Sequence, residues 1–329
     1  IAEIGINHNG DYELAKSLIK ESYLSDCYGI KFQYRNLDRS YIDNQAKEIG
    51  DDLLKSEIKR CYLNTKQICS LSDFCKEELG LKVGISFFSA EDINDFSDIN
   101  KYFDFFKVPS VEFTNNELIK KLEETGKKII FSTGCQDEKT ILKQIKNLNP
   151  DNSILMHCIS NYPLEIYNAK LGYLKHLKEI WKGEIGYSSH DKDWKVCISA
   201  LTIGVSYIER HITKNKMEFG LDHSTSSTPE EFKELCYFAK ELPLALQGEE
   251  ERVLNAGELI NKQNLGRSPY LTKSVKKGEI LKRNDFVWRS PQVGLTYENI
   301  DEYICKKLIK SIHKTQPLCI HHYEEKKYT

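Results

Sequence analysis

Two histidines give the strongest indication of chemistry in this sequence, because each closes a segment with the pattern of a β-strand. His190 ends the run 186–190, His211 ends the run 206–211, and one helix-sized segment separates them. At the carboxyl ends of neighbouring parallel strands, both imidazoles would point into one mouth and share a divalent metal ion, leaving coordination positions for substrate oxygens. The pair therefore predicts metal-assisted carbonyl chemistry. Two core or supporting histidines are the alternative, and His223 is interpreted as a neighbour rather than a third ligand.

The strands that must position these histidines belong to a regular pattern. Short apolar runs alternate with amphipathic helical stretches as far as about residue 245. The eight candidate strands are 1–7, 29–33, 82–88, 103–110, 128–134, 153–160, 184–190 and 206–213. Eight strands that are each followed by a helix predict an α/β fold, a closed (β/α)₈ TIM barrel. A doubly wound open sheet is disfavoured, because the Gly-rich phosphate loop expected after its first strand is absent.

Polar residues cluster where the candidate strands end, and this is where barrel enzymes carry their active sites. The cluster comprises Asn7, His8, Asn9, Gln33, Ser89, Ser110, Ser132, Thr133, Ser160 and Asn161, besides the two histidines. Core packing alone does not explain such a distribution. We therefore expect an active-site mouth at this end of the barrel.

The composition of the chain changes after Pro243. We predict a barrel domain over 1–247, a charged, helix-like linker over 248–264, and a small mixed domain over 265–329. Within the last, strands are expected at 269–272, 276–281, 286–289 and 317–320, with a helix over 297–307. A domain of this size needs support from the barrel or from a partner subunit.

Charge and cysteine usage restrict the class of protein. The net charge of −2 over 329 residues shows no basic excess, which argues against a nucleic-acid partner. The ten cysteines form no CxxC pair and lie in apolar contexts, so we expect reduced thiols in a cytoplasmic protein. We expect no signal peptide before the first strand, and no apolar run reaches the roughly twenty residues of a membrane span.

Several motifs in one order resemble the sialic acid synthase family. They are 1–10, 31–33, 132–134, 157–163 and the two histidine segments, and the tail motifs 277–279 and 288–291 resemble its antifreeze-like (SAF) domain. The resemblance implies a TIM barrel followed by a SAF domain. It also implies condensation of phosphoenolpyruvate (PEP) with an open-chain 2-acetamido hexose, which releases phosphate and forms a 2-keto-3-deoxy nonulosonate.

The resemblance also implies roles for individual residues. His190 and His211 hold the divalent metal, taken as Mn²⁺, although imidazoles alone do not distinguish it from Zn²⁺ or Co²⁺. Residues assigned to PEP are Lys31, Lys127, Ser132, Ser160 and Ser188; those assigned to the sugar or to catalysis are Glu3, Gln33, Tyr162, Asp222 and Arg289. Either Glu3 or Asp222 activates the water that attacks the second carbon of PEP.

Two of these assignments bear on mechanism and assembly. Arg289 is expected to reach the active site of the partner in a domain-swapped homodimer and to read the N-acyl group of the sugar. Lys107 has two readings, a Schiff-base nucleophile or a structural residue, and the metal ligands disfavour the imine.

Departures from the family pattern leave the sugar open. Ser189 stands where an acid commonly precedes the first histidine, which leaves metal affinity in doubt. Further departures are Phe88, Cys135, Ser290 and Gln292. They favour a 2,4-diacetamido-trideoxy hexose leading to legionaminic or pseudaminic acid. A synthase of the octulosonate type that uses a sugar phosphate and a catalytically silent sugar-binding barrel are the alternatives; the SAF-like tail argues against the first.

Overall fold

The computed structural model describes residues 1–40, 51–248 and 251–324, with the backbone alone over 51–54. The chain divides into two compact units, Ile1–Gln247 and Gly248–Thr329. In the described parts of the chain, no helix combines the length and the apolar character needed to cross a membrane.

Eight parallel strands of the first unit close into a barrel, which confirms the predicted fold. They are β1 (Ala2–Glu3), β2 (Gly29–Tyr34), β3 (Lys82–Phe87), β4 (Phe105–Val108), β5 (Lys128–Ser132), β6 (Ser153–Cys158), β7 (Ile185–Ser189) and β8 (Tyr207–His211). β1 completes the ring because it pairs with both β2 and β8. It is shorter than predicted, because the chain turns at Gly5, whose φ is 51°.

Helices surround the barrel, and side chains cap the amino ends of several of them. They are α1 (Tyr12–Leu24), α2 (Leu37–Ser40), α3 (Asp51–Arg60), α4 (Thr65–Asp73), α5 (Ile99–Tyr102), α6 (Asn116–Glu123), α7 (Glu138–Gln144), α8 (Tyr173–Ile180), α9 (Val196–Ile203) and α10 (Pro229–Ala245). Asp11 caps α1 by accepting from the backbone of Glu13 and Leu14, and Thr228 with Glu231 forms a capping box on α10.

The barrel interior consists of an apolar layer beneath a polar one. Phe105, Ile130, Ile154 and Met156 form a buried cluster of their own. Two residues further along β4 and β5, on the same face, come Lys107 and Ser132. Gly84 makes room for the apolar layer, because a Cβ there would lie 2.1 Å from the Phe105 ring. The apolar layer thus closes the barrel below the polar mouth.

The second unit has a small core of its own. It contains α11 (Ala256–Leu265), an antiparallel pair β9 (Ser268–Leu271) and β10 (Phe286–Arg289), and α12 (Ile300–Tyr303). The segment predicted as a linker thus includes most of a helix that groups with this unit. The strands predicted at 276–281 and 317–320 are present only as isolated bridges, and the helix predicted over 297–307 is one short turn. The buried residues include Leu271, Phe286, Leu295, Leu308 and Leu318.

Candidate active site

The carboxyl ends of the strands surround a cavity of about 380 Å³. Nine of the residues predicted for the site line it: Lys31, Gln33, Ser132, Ser160, Tyr162, Ser188, His190, His211 and Asp222. Glu3 lies fully buried in contact with Lys31. Closure of the ring therefore brings together side chains from all parts of the barrel sequence.

Four buried charges form an ionic layer at the base of this cavity. Lys31 pairs with Glu3 and Lys107 pairs with Glu209, while Lys31 Nζ lies 3.8 Å from Glu209 Oε1. Two hydroxyls complete the layer, because Lys31 Nζ donates to Ser86 Oγ at 2.8 Å and Lys107 Nζ donates to Ser188 Oγ at 3.2 Å. Two ammonium groups and two carboxylates balance one another, which makes burial of the four charges tolerable.

The two carboxylates of the ionic layer differ in pKa. Burial raises the pKa of Glu3, and the nearby Lys31 only partly opposes this effect. Burial acts in the same sense on Glu209, but Lys107 and Lys31 together outweigh it and hold its pKa below the usual range. Burial also raises the pKa of Asp222, at the rim of the cavity, to about 6. Glu3 and Asp222 are therefore the carboxylates suited to accepting a proton.

The two histidines face each other across the cavity, with ring centroids 5.8 Å apart. Nδ1 of His190 lies 3.1 Å from the carbonyl oxygen of Ile159, and Nε2 lies 3.1 Å from the hydroxyl of Tyr162. Nδ1 of His211 is buried without a hydrogen-bond partner among the described residues and lies 3.5 Å from Asp222 Oδ2. Burial and the nearby His190 hold the pKa of His211 well below its usual value.

This donor set fits a divalent metal ion. A neutral imidazole provides the lone pair that a metal requires, and a backbone carbonyl on the other nitrogen fixes the ring of His190. The described residues contain no group of three or more His, Cys, Asp or Glu side chains able to hold a metal. An ion held by these two histidines alone would keep positions for substrate oxygens, and the metal site stays a prediction.

The structure overturns one assignment, that of Lys127 to PEP. Lys127 precedes β5 at the amino end of the barrel, and its Nζ donates to the carbonyl oxygens of Asn100 and Phe103. Lys107 is the second lysine that lines the mouth, and the carboxylate of Glu209 engages its ammonium. That ion pair argues against the imine role considered for Lys107.

Sequence analysis also missed Glu209 and Ser86. Both could be found from their positions on the strands. Glu209 lies two residues before His211, and Ser86 lies on β3, the neighbour of the strand that carries Lys31. Alternation places Glu209 and His211 on the same face of β8. Arg289 is exposed at the end of β10 in the second unit.

The chain and its fold have clear relatives. Residues 18–251 match the NeuB family. The N,N'-diacetyllegionaminic acid synthase of Campylobacter jejuni is 31% identical over 94% of this chain and 96% of its own length. The chain belongs to the NeuB family. This confirms the resemblance to sialic acid synthases.

Two further relatives extend the comparison. The pseudaminic acid synthase of Helicobacter pylori is 27% identical over 97% of this NeuB-family chain and 95% of its own length. The crystal structure of an N-acetylneuraminic acid (sialic acid) synthetase from Leptospira borgpetersenii, in complex with citrate, covers 79% of this chain and 88% of that one. Its TM-score is 0.70 at 24% identity, which supports the barrel fold.

Proposed function

We propose that this protein is a nonulosonic acid synthase, which condenses PEP with an open-chain N-acylated amino hexose and releases phosphate. The observation that carries the proposal is the mouth itself, where two buried lysines and two facing histidines share one cavity. Among the described residues, three buried polar atoms of this cavity have no hydrogen-bond partner: Ser132 Oγ, Glu209 Oε2 and His211 Nδ1. Unpartnered buried polar groups are rare in proteins. A substrate hydroxyl would donate to the carboxylate of Glu209, an anionic substrate oxygen would accept from Ser132, and a metal ion would take the lone pair of His211.

PEP is assigned to the ionic layer. Its phosphate and carboxylate need cations and hydroxyls, which Lys31 and Lys107 provide together with Ser132 and Ser188. Ser160 also lines the cavity. Because Glu3 and Glu209 already balance the two lysines, PEP has to compete for them.

The sugar is assigned to the rim. Gln33 and Tyr162 line the open side of the cavity and are suited to hydrogen bonds with sugar hydroxyls. His190 and His211 would hold a divalent ion, proposed as Mn²⁺. When bound, it would supply Lewis acidity to the aldehyde oxygen of the sugar.

The reaction then requires one proton acceptor. The methylene carbon of PEP bonds to the aldehyde carbon, and the aldehyde oxygen takes up a proton to become a hydroxyl. A water adds to the second carbon of PEP and gives one proton to a base, and the adduct then cleaves its C–O bond to phosphate, its hydroxyl losing the other proton to become the keto oxygen. Glu3 and Asp222, the carboxylates with raised pKa, are the candidates to take the proton of that water. Both carboxylates are candidates for this role.

The second unit is proposed to be a SAF domain acting within a homodimer. Arg289 ends β10 beside Trp288, whose ring stacks on Tyr297 at 3.7 Å between centroids. A guanidinium on a strand that this aromatic stack supports is suited to bind a planar N-acyl group in the active site of the partner subunit. A reducing compartment such as the cytoplasm is proposed because all ten cysteines are free thiols.

The test is phosphate release from PEP with Mn²⁺, over free 2-acetamido and 2,4-diacetamido hexoses and over sugar phosphates, with EDTA as a control. Release that needs both metal and a free amino sugar supports the proposal; the names of the relatives make the 2,4-diacetamido sugars the first choice. Release with a sugar phosphate alone would point to an octulosonate-type synthase. No release with any sugar would refute the proposed activity.

A further inference from the structure

Arg210 is a buried residue directly behind the histidine pair. It is 1% exposed, and all three guanidinium nitrogens donate to uncharged oxygens. Nε donates to Ser227 Oγ at 2.7 Å, Nη1 to Ser189 Oγ at 2.7 Å, and Nη2 to the carbonyl oxygen of Asp191 at 2.9 Å. A buried charge held in this way is costly, so a compensating charge is expected nearby.

The carboxylate of Asp191 supplies that charge, and a hydroxyl connects it to Arg210. Ser189 Oγ, which accepts from Arg210, itself donates to Asp191 Oδ2 at 2.7 Å. Tyr187 donates to the same carboxylate oxygen at 2.6 Å. Ser189, Tyr187 and Asp191 are all buried. Ser189 is thus the link between a buried guanidinium and a buried carboxylate.

This network holds both histidine-bearing strand ends. Ser189 and Arg210 are register partners on β7 and β8. Because side chains alternate along a strand, their neighbours His190 and His211 face the opposite side, toward the cavity. Arg210 donates to the side chain of Ser189 and to the backbone carbonyl of Asp191, the residues on either side of His190. Its partner Ser227 donates its backbone N–H to the carbonyl of His211 at 2.9 Å.

We propose that Arg210, Ser189 and Asp191 form a positioning relay that sets the geometry of His190 and His211 for a shared divalent ion. The inference rests on the metal site of the proposed function. It also accounts for Ser189, which stands where the family resemblance implies an acid: Asp191 supplies the carboxylate, and the serine hydroxyl connects it to Arg210. The relay touches neither substrate nor metal and acts only through the two histidines.

The test is Mn²⁺ affinity, measured by EPR titration of the free ion in the absence of substrates. Ser189→Ala and Arg210→Lys are expected to weaken Mn²⁺ binding about 10- to 100-fold, the usual effect of losing an outer partner of a metal ligand. Ser189→Thr restores the hydroxyl and is expected to bind within about threefold of the wild-type protein. Tyr187→Phe is a milder variant, expected to shift the affinity in the same direction.

Ser22→Ala is the matched control. Its hydroxyl is also buried, but it donates to the carbonyl of Leu18 within α1, and we expect unchanged Mn²⁺ affinity. Thermal unfolding of each variant and PEP binding in EDTA separate metal geometry from general damage. Wild-type Mn²⁺ affinity in Ser189→Ala, or equal weakening in Ser189→Thr, would overturn the relay. A wild-type protein that releases phosphate without binding Mn²⁺ would overturn the relay and the metal site but leave the activity.

Discussion

Replacement of Lys107 by Met tests the assignment on which sequence and structure disagree. Lys107 is the buried mouth lysine that pairs with Glu209 and donates to Ser188, whereas Lys127 lies at the opposite end of the barrel. If PEP binds the ionic layer, the Lys107→Met variant loses one of two cations that face its anionic groups. The Lys127→Met variant loses none.

The magnitude follows from the burial of the group. A hydrogen bond to a charged partner contributes about 1.5–3 kcal/mol, so Lys107→Met is expected to weaken PEP binding about 10- to 150-fold. Glu209 would then keep only the more distant Lys31, at 3.8 Å, as an ionic partner, and this loss is expected to cost about 3–5 kcal/mol of folding stability. Lys107→Met/Glu209→Gln removes both charges and is expected to recover most of that stability, but not the affinity for PEP.

Lys127→Met serves as the matched control. Loss of its two backbone hydrogen bonds is expected to cost about 1–3 kcal/mol of stability, with PEP affinity within about twofold of the wild-type value. PEP binding is measured by calorimetry without sugar, and stability by urea unfolding. Unchanged PEP affinity in Lys107→Met, together with weakened affinity in Lys127→Met, would refute our assignment of the ionic layer.

Three further predictions concern the metal, pH and assembly. His190→Ala is expected to weaken Mn²⁺ binding by on the order of 100-fold and, like EDTA, to abolish phosphate release; release that persists in both would contradict the metal site. Burial lowers the pKa of His8 to about 4, below its unfolded value, so the unfolded chain takes up the proton first and stability falls with pH from about 6.5 toward 4. Between pH 8 and 5 the wild-type protein is expected to lose about 2 kcal/mol more than His8→Gln in urea unfolding, and equal losses would disprove this. Arg289→Ala is expected to raise the KM of the sugar about tenfold without changing that of PEP. At sugar concentrations well below KM, an equal mixture with Lys107→Met is expected to gain activity because about a quarter of all sites become intact if subunits exchange arms, and to give no more than the two separate variants if they do not.

Much of the fold can be predicted from the order of short apolar runs and amphipathic stretches. Local alternation defines each strand, and the count of eight defines the barrel, because a closed ring leaves no edge strand unpaired. The second unit is less predictable. Its segments 276–281 and 317–320 form isolated bridges rather than strands, since in a unit this small contacts between distant segments decide the pairing.

The candidate site divides in the same way. His190 and His211 are identifiable because each lies at the carboxyl end of a candidate strand, whereas Lys31 and Asp222 are assigned through the family resemblance. Lys127 misled the prediction because it was assigned from the family resemblance, although a residue directly before the candidate strand 128–134 lies at the amino end of that strand, opposite the mouth. In the structure, strand direction places Lys127 at the amino end and Lys107 in the mouth.

The sequence by itself determined the barrel, the end of the barrel that carries the chemistry, and the two histidines, since all three depend on local periodicity and on residue type. Only the tertiary structure decided which charges meet. Glu209 pairs with Lys107, which lies 102 residues earlier in the chain. Asp191 is connected to Arg210 through the hydroxyl of Ser189. Ring closure and strand register set these contacts. They bring distant residues within hydrogen-bonding distance, where burial makes each partner indispensable.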